Sequence, residues 1–143
     1  MILKKSKAEN SGWIVITAGW AFAVALPVWF FGSVSGAHFN PAVTIGLACI
    51  GQFSWSHVAG YLIAQFIGAF LAAVVLFLHF YKHFEATDDP AVKLGVFSTG
   101  PAIRSHCFNF IGEFINTFVL LFGIVGIVSQ KMAPGIRDLL LVF

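Results

Sequence analysis

Ser35-Gly36-Ala37-His38-Phe39-Asn40-Pro41-Ala42-Val43-Thr44 stands between two long apolar runs and belongs to neither. Upstream, Gly32 to Phe39 is a small-residue stretch with no helical amphipathic pattern, and it is expected to be a loop. Asn40 then Pro41 sets an amide at a helix N-cap and a proline at the first helical position. The apolar piece that follows, residues 40–50, is too short to cross a bilayer, so it is expected to be a re-entrant half-helix. Non-helical backbone at membrane depth is tolerated only where it is buried in protein or lines water. Loop and half-helix together therefore imply a conduit.

Working outward, residues 13–31 carry no charge and are long enough to span, with Pro27 expected to kink the helix. Residues 58–80 form a second uncharged run, in which Gly60, Ala64, Gly68 and Ala72 recur every four residues and permit close approach of another helix. Tyr81 to Cys107 is rich in charge, Pro and Gly and requires water and turns. Residues 108–128 form a third run that holds one acid, Glu113. A short polar turn follows, then the opening of a further span from residue 136, cut off by the end of the chain. Lys4, Lys5 and Lys7 precede the first run, but that run exceeds the h-region of a secretory signal.

Composition agrees, since 59% of the 143 residues are hydrophobic, with 17 Phe against eight basic and six acidic side chains. A mean hydropathy of +0.90 leaves too little polar surface to coat a soluble globule. The fold class expected is an all-α integral membrane protein with about three full spans and one re-entrant half-helix. The net charge of +2 is scattered and provides no phosphate-binding stripe, so a nucleic-acid partner is set aside. Two distant cysteines, Cys49 and Cys107, make neither a disulfide framework nor a metal site and are expected to be buried apolar side chains. His79 and His83 suit a headgroup-level belt, not metal ligation. His38, His57 and Glu113 lack acid–base spacing, so no enzyme, cofactor or catalytic residue is expected.

Within the conduit, the carbonyls of Gly36, Ala37, His38 and Phe39 are candidates for a ladder of acceptors, and Asn40 for a donor beside the positive helix end. Those groups suit water and hydroxyls, while the helix end opposes cations and protons.

The decapeptide, with Tyr61-Leu62-Ile63-Ala64-Gln65-Phe66-Ile67-Gly68-Ala69, resembles the aquaporin (major intrinsic protein) family, in which Asn40, Pro41 and Ala42 match the first NPA motif. The likeness is nearest the glycerol facilitator branch, through Phe97-Ser98-Thr99-Gly100-Pro101 in the connecting loop and Trp20 where facilitators carry a filter tryptophan. It implies an aquaporin-like bundle fragment over residues 1–143. It also implies passive conduction of glycerol and water, a homotetramer for the complete protein, and a bacterial cytoplasmic membrane. By position, Trp20 and Val24 become an apolar pore wall, Asn40 the midpoint donor, and Glu113 a buried structural acid that holds a re-entrant loop by its backbone.

The family has six spans and two NPA half-helices, so about half of the pore is absent from this sequence, and the expectation is a fragment needing a complementary half. A water-selective channel and a non-conducting remnant stay open as alternatives. Positive-inside counting places Lys4, Lys5, Lys7, Lys82, Lys93 and Arg104 on the inner side against Lys131 and Arg137. The resemblance places the six outside.

Overall fold

The structure is a computed structural model that describes residues 2–129. The further span expected from residue 136 lies outside them. Among the described residues six helices follow in order: α1 Gly12–Ser35, α2 Pro41–Cys49, α3 Trp55–His79, α4 Tyr81–Glu85, α5 Pro90–Leu94 and α6 His106–Ser129. There is no strand among the described residues. Helices α1, α3 and α6, of 24, 25 and 24 residues, are long and apolar enough to cross a membrane. At ~1.5 Å per residue each exceeds a ~30 Å hydrocarbon core.

The helices overrun the apolar runs that announce them. Gly32 to Ser35, expected as loop, is the last turn of α1. Nothing in those residues removes a backbone hydrogen bond, so the helix continues until Gly36, whose left-handed φ of 74° ends it while its N–H reaches the Gly32 carbonyl at 3.0 Å. Likewise α3 starts at Trp55 and α6 at His106, ahead of their apolar runs. Hydropathy marks what lies in hydrocarbon, whereas helix length is set by caps.

Asn40 is extended at φ −147° and ψ 127°, and its side chain accepts from the Ala42 N–H at 2.8 Å. Asp89 before Pro90 does the same for Ala91 at 2.8 Å and starts α5. The 81–107 segment, expected only to turn, therefore contains two short helices, α4 and α5, and the Asp-Pro pair was the signal for the second.

The half-helix is the centre of the packing. Val43, Thr44, Leu47 and Ala48 of α2 are buried, and this face meets α3 and α6. At Gly46 a Cβ would come within 3.0 Å of Leu121 Cδ2, so the absence of a side chain sets how closely α6 approaches. The spanning helices bury almost nothing, which suits elements whose apolar faces meet lipid or other protein.

A second small core closes one end. Leu3 is fully buried and lies with Thr87 and Phe84, also buried, between the N-terminal segment and the α3–α6 connection. The Lys4 N–H donates to Thr87 Oγ1 at 3.0 Å, and His83 Nδ1 lies 3.1 Å from the Lys4 carbonyl. Phe84 stacks on Phe97 with centroids 5.5 Å apart. An exposed Lys4–Asp88 pair at 3.7 Å adds little. The N-terminal segment and the 81–105 connection thus share one side of the bundle.

Candidate functional site

Between Ser35 and Pro41 the backbone abandons helix for five residues, several in a strained form. Gly36, Ala37 and Phe39 have φ of 74°, 47° and 45°, and for the two non-glycine residues the left-handed region costs ~1–2 kcal/mol each. The strain accompanies an unusual accounting of polar groups. Among the described residues, none of the carbonyls of Gly36, Ala37, His38 and Phe39 accepts a hydrogen bond. Four consecutive acceptors are left for something else.

They lie beside a cavity of about 340 Å³. Trp20, Val24 and Val28 line it from one stripe of α1, and Leu120, Ile124 and Val128 from one stripe of α6, each at four-residue spacing. Gly36, Ala37, His38, Phe39 and Asn40 line it between the two stripes. The residues picked out as candidate pore lining are therefore brought to one space. Val28 and the α6 stripe were not singled out in the sequence, although their spacing was visible there. Asn40 uses Oδ1 as the helix cap, and among the described residues its Nδ2 amide has no acceptor. Residues that carry unpaired acceptors and a donor among the described residues thus line one cavity with two apolar stripes.

The loop is held from behind by side chains that sequence reasoning passed over. Tyr61 donates its hydroxyl proton to the Ser35 carbonyl at 2.8 Å, and the Ala37 N–H donates to Ser35 Oγ at 3.3 Å. Thr44 is fully buried, with Gln65 Nε2 at 3.0 Å, His38 Nδ1 at 3.2 Å and the Asn40 carbonyl at 3.2 Å from its hydroxyl. His38 and Tyr61 also pack on Phe53, each ring centroid 4.7 Å from that of Phe53. Gln65 was legible as the single amide in the uncharged 58–80 run, but its partner was not.

Glu113 is exposed on α6 and makes no hydrogen bond to the 36–40 loop among the described residues. It shares a face with Leu120, two turns or ~10 Å earlier along the axis. The cysteines differ from expectation, both being exposed. Cys49 ends α2 off its packed face, and Cys107 lies in the first turn of α6, far from where that helix meets α2. The small-residue stripe Ala64, Gly68 and Ala72 lines a second cavity, of about 600 Å³, together with His38, Phe39 and Tyr61.

Three helices long and apolar enough to span, with a half-helix packed against two of them, define a multi-pass membrane protein. The chain belongs to the major intrinsic protein family, whose family model matches residues 1–138. It is 54% identical over its whole length to a protein of Thermotoga maritima named a probable glycerol uptake facilitator, of which it covers 61%. It is 48% identical over 99% of its length to the glycerol uptake facilitator of Bacillus subtilis, covering 52% of it. Glycerol uptake facilitator protein 3 of Lactiplantibacillus plantarum is 44% identical over 96% of the chain, which covers 57% of that relative. The chain thus spans between about half and three fifths of the length of these relatives.

Proposed function

We propose that this chain supplies one wall and one re-entrant segment of a passive channel for glycerol and related small neutral solutes. The observation that carries the proposal is the row of four carbonyls, Gly36 to Phe39, unpaired among the described residues and belonging to residues that line a cavity with apolar stripes. A polyol has hydroxyls along one edge and C–H groups along the other, and a lining divided in the same way binds each edge without a strong site that would trap it. In this scheme the carbonyls accept from solute hydroxyls and Asn40 Nδ2 donates at the midpoint. Trp20 and Val24 face the carbon backbone.

The positive end of α2 beside the path disfavours cations and protons. No bond is made or broken, and solute moves down its own gradient with no cofactor. The names carried by the relatives support glycerol as permeant, and their bacterial sources support a bacterial membrane, which the resemblance makes the cytoplasmic one. The resemblance adds a homotetramer, with water as a second permeant.

Stopped-flow permeability of vesicles tests this, using the 143-residue chain and the same chain continued through the remaining length found in its relatives. Glycerol flux above that of protein-free vesicles, reduced by Trp20→Ala, is the expected result for the continued chain. Flux of water without glycerol would make it a water channel, and no flux of either would end the proposal.

A further inference from the structure

The three contacts of Thr44 contain more information than their lengths. A hydroxyl has one proton to donate and two lone pairs to accept with. Around the fully buried Thr44 Oγ1 stand the Asn40 carbonyl, which only accepts, and His38 Nδ1 and the Gln65 side-chain amide, whose roles depend on tautomer and orientation. Were the hydroxyl to donate to His38 Nδ1, its oxygen would face the Asn40 carbonyl oxygen at 3.2 Å with no proton between them. The same conflict arises if Gln65 turns its oxygen toward Thr44. At a buried site such an unpaired approach is costly.

One arrangement makes all three contacts attractive, and it leaves only Gln65 Oε1 of this cluster buried without a partner among the described residues. Thr44 donates to the Asn40 carbonyl and accepts from Gln65 Nε2 and from a proton on His38 Nδ1. We infer that Thr44, oriented by Gln65, holds neutral His38 as the Nδ1–H tautomer and is thereby a positioning residue for the re-entrant segment. The consequence falls on the other ring nitrogen. His38 Nε2 carries no proton and is an acceptor, lying 3.2 Å from the point a Cβ on Gly36 would occupy. His38 then adds an acceptor beside the row of free carbonyls. This step stands on hydrogen-bond counting and does not depend on the transport proposal.

The test is nitrogen-15 NMR of the chain in lipid, labelled at its five histidines, at mildly alkaline pH where imidazole is neutral. His38→Gln identifies the His38 signals by their loss. The expected result is a protonated Nδ1 and an unprotonated Nε2 for His38. Thr44→Val should lose that pattern in favour of the Nε2–H form that free imidazole side chains prefer, Thr44→Ser should restore it, and Gln65→Leu should weaken it. A His38 protonated at Nε2 in the unaltered chain overturns the inference, and that measurement needs no variant to fold. A Thr44→Val chain of unchanged helix content that keeps the Nδ1–H pattern overturns it too. Glycerol flux is not read in either case, so the transport proposal can fail while this one holds.

Discussion

The Tyr61 hydroxyl donates to the Ser35 carbonyl at 2.8 Å, joining the last turn of α1 to α3 across 26 positions of sequence. The carbonyl belongs to a helix end, where no intrahelical donor remains, so the tyrosine satisfies a group that would otherwise be orphaned at membrane depth. Tyr61→Phe keeps the ring packing on Phe53 and removes only that bond. Its expected cost is ~1 kcal/mol. Thermal unfolding in detergent micelles, followed by far-ultraviolet circular dichroism, reads it, and an unchanged midpoint would mean that the bond contributes nothing.

Gly46 and Leu121 form a pair in which one side chain is absent so that the other fits. A Cβ at Gly46 would lie 3.0 and 3.2 Å from the two Leu121 methyl carbons, tighter than ordinary contact. Gly46→Val should destabilise by ~1–3 kcal/mol through overpacking. Adding Leu121→Ala should recover part of that loss. A double variant as unstable as the sum of the two singles would show that the two residues do not meet.

Asn40 combines two roles that substitution can separate. Asn40→Ala removes the cap on Ala42 and should cost ~1 kcal/mol. Asn40→Asp preserves a capping oxygen but replaces the free Nδ2 donor with an acceptor. The aspartate form should therefore keep more of the thermal stability than the alanine form, while in the continued chain both abolish glycerol flux. Full flux through the aspartate form would remove Asn40 from the list of donors to solute.

Leu3, not the Lys4–Asp88 ion pair, should anchor the N-terminal segment. The leucine is fully buried, whereas both charged side chains are more than half exposed. Burying a leucine is worth ~1.5–3 kcal/mol, and an exposed pair ~0–1 kcal/mol. Limited proteolysis should accelerate at Lys4, Lys5 and Lys7 in Leu3→Ala and hardly change in Asp88→Asn. The opposite ranking would place the anchoring in electrostatics.

Three apolar spans and a half-helix capped by Asn40 and Pro41 were legible in the sequence alone. Lipid leaves few spanning structures available, and an amide followed by proline before a short apolar run has few other uses. Because Trp20 and Val24 lie one helical turn apart, their common face was legible too. What the sequence did not reveal is whatever depends on where two helices cross. The limit of α1 was set by Gly36 and not by hydropathy. Height along a packed helix is decided by contacts such as Gly46 against Leu121. Thr44, Gln65 and His38 are ordinary residues in isolation, and only the approach of α2 to α3 brings the second to the hydroxyl of the first. Periodicity assigns a residue to a face, but a buried hydrogen bond also requires the distance between faces, which only the tertiary packing supplies.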